Sequence, residues 1–427
     1  MWNKPWKLKE GFVIGGGLVL TGLLLQITSG PVVWSIFSFP VNVVALIVFL
    51  ALIIIAYAFR DRVYAFRFSG SYMAAIPALT YAAVLTIIMG LTRQVADDKP
   101  AADVLGFTRM LSCWPFVLSY LWMAFILGQV VLKRFFALCG SGHNRCLRRD
   151  IPFFLNHLGL FVTMVSATLG HADMQRLKMT VTSDGPEWRA FDDNGQMHEL
   201  PIAIQLEEFR IDEYPPKLIL VDSKTGSSLG GKQAGVLVVD SGFTQGRLGE
   251  WTITVDRRLD YATPVMREDT TYYDEWMHTG AVSAVGLTAR KSSSPTVASA
   301  EVSRSGWVSC GSYMFPEQLL PLDEHTSIAM PQREPQRFVS RVEILTKTNK
   351  DIKTDILVNK PFSIDGWKVY QLNYDTRKGR WSDISILELV SDPWLPVVYG
   401  GIFMMLLGTV CMFLSFHRES DRASSAS

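Results

Sequence analysis

Apolar residues gather in six blocks, at 12–28, 41–59, 72–91, 114–132, 153–169 and 395–416. Each is close to the roughly 20 residues needed to cross a bilayer core. Between the fifth and sixth blocks the pattern changes. Residues 171–394 are polar overall, and their apolar positions come in short runs that partly alternate. The pattern predicts an integral membrane, α-helical protein with six transmembrane helices and a large extracytoplasmic β-rich domain between helices five and six. The predicted divisions are 1–170 for five helices, 171–394 for the β-rich domain and 395–427 for the last helix and tail. The first block has no small-residue cleavage site, and another span follows at once. It is therefore expected to stay as an anchor.

Within the polar region, strands are expected at 177–181, 203–211, 218–221, 236–239, 251–255, 339–345, 352–358, 367–374 and 384–390. Pro215-Pro216, Gly230-Gly231 and Gly246 mark turns between them. Long helical periodicity is scarce, so an antiparallel sandwich or open barrel against the membrane is expected. Residues 290–312, rich in serine and other small residues, read as a surface loop. The aromatic run from Tyr272 to His278 fits two roles, a contact surface for a partner or a face packed on the domain core. No internal repeat is found.

Composition supports the membrane reading. The chain is 48% hydrophobic and 19% charged, below the roughly 25% charge of soluble domains. A formal net charge of +1 gives no field for nucleic acid. Basic residues cluster at Lys4, Lys7 and Lys9, at Arg60, Arg62 and Arg67, at Lys133, Arg134, Arg145, Arg148 and Arg149, and at Arg418 and Arg422. All fall on one side if both termini are cytoplasmic. The domain at 171–394 then lies outside. Five cysteines occur, and Cys310 alone is in that domain, which leaves it no internal disulfide. No CxxC is present, against a thiol relay role. Cys139, His143 and Cys146 share one cytoplasmic segment. Their spacing matches no standard zinc pattern, and a loop of reduced cysteines is the simpler reading.

Seven histidines remain to be weighed. His143 and His417 belong to basic cytoplasmic segments, and His198 and His325 sit beside Glu199 and Glu324 in polar surroundings. His157 is different. It lies within the first two turns of the fifth span, on the order of 10 Å from Asp150 along the axis. An ionisable side chain inside a span usually meets a partner or a cavity. Two partners are open: an interhelical hydrogen bond, worth about 1 kcal/mol, or a metal such as haem iron. His171 is the second candidate. It lies 14 positions later, about 21 Å along the helix, at the outer interface. The two imidazoles cannot bind opposite faces of one iron. Gly15-Gly16-Gly17 lies inside span one, where small residues permit close helix packing. No Ser-His-Asp order, HExxH, Walker loop or GxGxxG is present.

Two stretches resemble the ResB (CcsB) family of system II cytochrome c biogenesis. The first runs from Asn156-His157-Leu158-Gly159-Leu160 through Leu169-Gly170 to Leu177-Lys178-Met179. The second is Val358-Asn359-Lys360-Pro361-Phe362, then Gly366-Trp367-Lys368-Val369-Tyr370-Gln371-Leu372-Asn373-Tyr374-Asp375, then Asp392-Pro393-Trp394 leading to Tyr399-Gly400-Gly401. The resemblance covers roughly residues 150–415. Many relatives carry His where this chain has Lys360. The tryptophan-rich haem-handling motif of the partner family, ResC (CcsA), is absent.

The resemblance implies one half of a two-protein haem lyase in the bacterial cytoplasmic membrane. Haem b passes as transient cargo to an outer site on a ResC/CcsA-type partner and is joined there to CxxCH of apocytochrome c. His157 matches the family's transmembrane haem histidine and is the expected axial ligand to haem iron. The second ligand would come from the partner. No catalytic side chain is expected in this chain. Two other readings stand beside it: a membrane b-type cytochrome in quinone-linked electron transfer, and a permease or sensor with a large outer domain.

Overall fold

The computed structural model describes residues 2–95, 99–140, 144–229, 235–291, 302–348 and 350–424. They form two compact units, Met1–Gln175 with Ser391–Ser427, and Arg176–Val390.

The first unit is helical: α1 Leu8–Ser29, α2 Val41–Ala58, α3 Tyr64–Ser69, α4 Tyr72–Leu91, α5 Trp114–Gly140, α6 Asn144–Gly170 and α7 Leu395–Ser424. All but α3 are long and apolar enough to cross a membrane, which gives six spans as the hydropathy pattern predicts. The chain is a multi-pass membrane protein with a β-rich region between its fifth and sixth spans.

Two features depart from the expected pattern. The basic stretch after the fourth span is not an open loop along its length: α5 continues to Gly140 and α6 begins at Asn144. Hydropathy marks the apolar thickness of a span, whereas backbone hydrogen bonding carries a helix past it. The short helix α3 also follows the second span unannounced. His143 and the side chain of Cys146 lie outside the described residues, as does the side chain of His417.

Small residues set the helix contacts. A Cβ on Gly22 would stand 2.5 Å from the Pro115 nitrogen, and one on Gly11 would stand 2.7 Å from the Met73 carbonyl oxygen. In the glycine triplet of α1, Gly15 and Gly16 both face Tyr81, where an added Cβ would stand 2.3 Å from the ring and 3.1 Å from the hydroxyl, while Gly17 faces open space. Some polar side chains inside the bundle are satisfied by backbone, as a medium without water favours, while the buried Ser119 and Thr163 hydroxyls have no partner among the described residues. The buried Gln129 amide donates to the Ile53 carbonyl at 2.8 Å.

The second unit contains three sheets. One has eight strands in the order Asp351–Leu357, Pro335–Thr346, Met197–Glu213, Glu187–Phe191, Gln175–Thr182, Ile384–Ser391, Trp367–Tyr374 and Phe362–Ile364. Its inward positions make one core, with Met179, Val181, Ile204, Ile344, Val369 and Leu387 fully buried. A second sheet joins Ser303–Ser309, Val282–Lys291, Trp251–Arg267 and Gln245–Leu248, with Thr270–Glu275 paired to Trp251–Arg267. The third joins Leu320–Pro321, Thr326–Ala329, Lys217–Asp222 and Leu237–Val238. These two share a core around Leu218, Ile253, Leu287, Val308 and Ile328.

The segment expected as a loop at 290–312 needs correcting. Residues 292–301 lie outside the described residues, but Ser303–Ser309 is a strand registered against Val282–Lys291, with Trp307 opposite Gly286. Serine and glycine weaken intrinsic strand preference. Pairing and the burial of Val308 override it.

Candidate functional site

His157 is half-buried on α6. Its Nδ1 lies 2.8 Å from the carbonyl oxygen of Phe153, one turn earlier. A carbonyl only accepts, so Nδ1 carries the proton and donates. In the neutral ring Nε2 then keeps its lone pair, and it has no hydrogen-bond partner among the described residues. This is the tautomer in which an imidazole is prepared to ligate a metal through Nε2. The Phe153 ring stacks on the imidazole with centroids 3.8 Å apart and planes 22° from parallel. Arg134 of α5 places its guanidinium 4.6 Å from the same Phe153 ring. The imidazole lone pair, steadied by the stacked Phe153 ring, is a donor of the kind that fits an iron porphyrin. Neither histidine makes an interhelical hydrogen bond among the described residues.

The neighbours of His157 explain which way it faces. Asn156 and Gly159 belong to the α6–α7 seam. The Thr409 hydroxyl donates to Asn156 Oδ1 at 3.2 Å, and a Cβ on Gly159 would stand 2.6 Å from the Gly401 carbonyl oxygen. One residue turns a helix by about 100°, so His157 points well away from α7. Leu160, which lies between Asn156 and His157 around the helix, is exposed. The imidazole therefore borders an open face of the bundle.

His171 occupies a different place. It opens a short 3₁₀ turn, His171–Asp173, that follows α6. It lines a cavity of about 560 Å3 between α2, α5 and α6, walled by Trp34, Phe49, Phe116 and Tyr120 among others. No cationic side chain lines it. The Trp34 ring meets the His171 ring edge-on with centroids 6.4 Å apart. The other polar groups of the lining are committed to backbone. Thr168 donates to the Met164 carbonyl at 2.8 Å, Tyr120 to the same oxygen at 3.4 Å, and the Trp34 indole to Leu111 at 3.3 Å. His171 alone has no hydrogen-bond partner among the described residues. The residues of α6 that reach this cavity begin at Val165, eight positions and about 12 Å beyond His157. The structure does not bring the two histidines together.

Sequence reasoning missed three features here. Arg134 looked like one more basic loop residue. The cavity is assembled from segments far apart in the chain. Asp173, next in line after the second candidate, proves to be a junction. Its carboxylate accepts from the Phe39 backbone N–H, the Asn42 amide and the Trp394 indole, all at 2.6 Å.

In the second unit, the residues that carry the resemblance are architectural. Asn359 has φ 63° in the turn after Asp351–Leu357, and Asp365 and Gly366, at φ 46° and 83°, turn Phe362–Ile364 back onto Trp367–Tyr374. Gln371 is buried. Its side-chain oxygen accepts from the hydroxyls of Ser340 and Ser385, and its amide donates to the Asn373 carbonyl. A polar pocket of about 390 Å3 is lined by Glu213, Arg333 and Arg380. Both arginines are spent on ion pairs with Glu213 and on backbone carbonyls. Cys310 borders this pocket, and burial pushes its thiol up. Of the aromatic run 272–278, Tyr273 is buried in the core and Trp276 packs 6.0 Å from Phe315, while Met277 is exposed. No cluster of three or more His, Cys, Asp or Glu fit for a metal exists among the described residues.

No curated protein matches the chain. A family match falls on residues 319–385, a minority of the chain, running from Leu320–Pro321 into Ile384–Ser391 and including the Asn359 and Gly366 turns and Gln371. The family is the ResB-like family, the one the sequence resembles, and over these residues the chain is similar to it.

Proposed function

We propose that this chain is the haem-holding subunit of a system II cytochrome c haem lyase. The ResB-like family is linked to cytochrome c biogenesis. Within that frame, the observation that carries the reading is the His157–Phe153 contact, which fixes the imidazole with Nε2 unprotonated at an open face of the bundle. Phe153 steadies the imidazole by stacking on it. The open face leaves room for a ResC/CcsA-type membrane partner to bring the second axial ligand. Both termini are then cytoplasmic, in line with the basic clusters, and the β-rich unit works outside the bacterial inner membrane. The bound haem b supplies the vinyl groups to which the thiols of an apocytochrome c CxxCH are joined. The part assigned to this chain is holding and orienting haem.

Haem content tests this. The full chain would be co-expressed and co-purified with its ResC/CcsA-type partner, and the absorption spectrum recorded. His157→Ala is expected to lose most of the haem, with recovery on adding imidazole. His171→Ala is expected to keep it. Equal haem in wild type and His157→Ala would end the assignment. A b-type cytochrome needs histidines on facing helices, whereas His157 lies on α6 and His171 in the turn that follows it.

A further inference from the structure

The cavity at His171 has its own chemistry, independent of the haem reading. Its volume, about 560 Å3, falls in the range of roughly 300–1,000 Å3 typical of small-molecule sites. Its walls are almost wholly apolar and largely aromatic, with Phe37, Phe49, Phe116 and Tyr120 contributing rings. One polar side chain in the lining, His171, has no partner, and it stands against the edge of Trp34.

The lining discriminates among ligands. Haem carries two carboxylates, and no cationic side chain is present here to meet them. A phospholipid head would likewise find no cationic side chain in the lining, whose polar end is the exposed His171. The suitable ligand is neutral, has a long apolar portion for the space between α2, α5 and α6, and ends in a flat ring with one or two hydrogen-bonding oxygens near His171. We infer that this cavity binds an isoprenoid quinone, with a ring oxygen hydrogen-bonded to the His171 imidazole and the ring lying among Trp34 and its aromatic neighbours.

Decylubiquinone is the probe. It would be titrated into the full chain in lipid nanodiscs while tryptophan fluorescence is followed, Trp34 being in the wall. Saturable quenching is expected. Ala167 is an exposed residue of the lining, so Ala167→Phe should fill the space without disturbing a packed core and weaken binding at least tenfold. His171→Leu removes one hydrogen bond and should weaken it about three- to tenfold. Leu160→Phe, on the same helix away from the cavity, should leave it unchanged. Quenching that does not saturate, or that both cavity variants leave intact, would overturn the site. Equal displacement of the probe by a neutral diacylglycerol would overturn the quinone assignment.

Discussion

The Nδ1 of His157 and the carbonyl oxygen of Phe153 are 2.8 Å apart on one face of α6. On the proposed function, the contact turns a histidine in a membrane span from an anomaly into a prepared ligand. The ring has been given its partner within its own helix, and its second nitrogen is left for something else. The stacked Phe153 ring adds to this, since it restricts the rotation of the imidazole.

The stacking and the hydrogen bond can be separated. Phe153→Leu keeps the backbone carbonyl and removes the ring. Haem bound at His157 should then fall about two- to fivefold, in keeping with an aromatic contact of about 0.5–1 kcal/mol. It should not vanish as in His157→Ala. Haem titration of the two variants side by side decides the matter, and equal losses would place the ligand elsewhere.

The α6–α7 seam is set by absent side chains. A Cβ on Gly401 would stand 2.8 Å from the Gly159 carbonyl oxygen, while one on Gly400 would meet nothing within 4 Å. Gly401→Leu should therefore cost about 1–3 kcal/mol or more through overpacking. Gly400→Leu should be nearly silent. Thermal unfolding of the detergent-solubilised protein reads the contrast, and similar melting temperatures would mean that the helices do not approach so closely.

Asp173 ties α7 to the start of α2 through Trp394 and Asn42. Asp173→Ala takes one acceptor from each of three donors; the fully buried Asn42 amide keeps its bond to the Leu169 carbonyl, the Trp394 indole is half-buried and Phe39 is exposed. A buried orphan costs about 1–3 kcal/mol, an upper range for each of these losses. Asp173→Asn retains one oxygen and should recover part of the loss. Haem content per folded molecule should be unaffected by either. The melting temperature is expected to fall in the order wild type, Asn, Ala, and any other order would contradict the junction.

Much of this was legible in the sequence, for identifiable reasons. Blocks of about 20 apolar residues have few alternatives to a span, so six helices could be counted. Strands such as Trp367–Tyr374 announced themselves by alternation, with Trp367, Val369 and Gln371 inward. His157 stood out because an ionisable group in a span is costly. The cavity was not legible, since its walls come from residues 34–52, 116–124 and 165–171, and no local pattern links them. Nor was the Asp173–Trp394 bond, which joins residues 221 positions apart. Strand Ser303–Ser309 was hidden because its composition speaks for a loop and only its partner strand makes it a strand. In the matched stretch, Asn359, Gly366 and Gln371 are read most simply as turn and core residues, so the family signal there reports architecture more than chemistry.

The eight-stranded sheet also carries a pH-sensitive contact. The Arg189 guanidinium, hydrogen-bonded to both oxygens of Glu187, holds that carboxyl down at about 2 from its ordinary 4.5. A depressed carboxyl stabilises the fold above its unfolded value and loses that contribution as pH falls toward the folded one. The window is therefore about pH 4.5 down to 2. Arg189→Gln removes the main cause, leaving the backbone N–H groups of Trp188 and Arg189 as donors. The Glu187 carboxyl should rise, so that protonation sets in at a higher pH. Arg189 is half exposed, so solvent screening keeps the effect modest. Hydrogen exchange of the amides in Glu187–Phe191, followed from pH 5 down to about 2.5 in the full chain, reads it locally. Protection in the variant should begin to fall at a higher pH than in the wild type, with no difference at pH 7 beyond a small uniform offset. Identical acid profiles would mean that the carboxyl is held by the backbone donors alone.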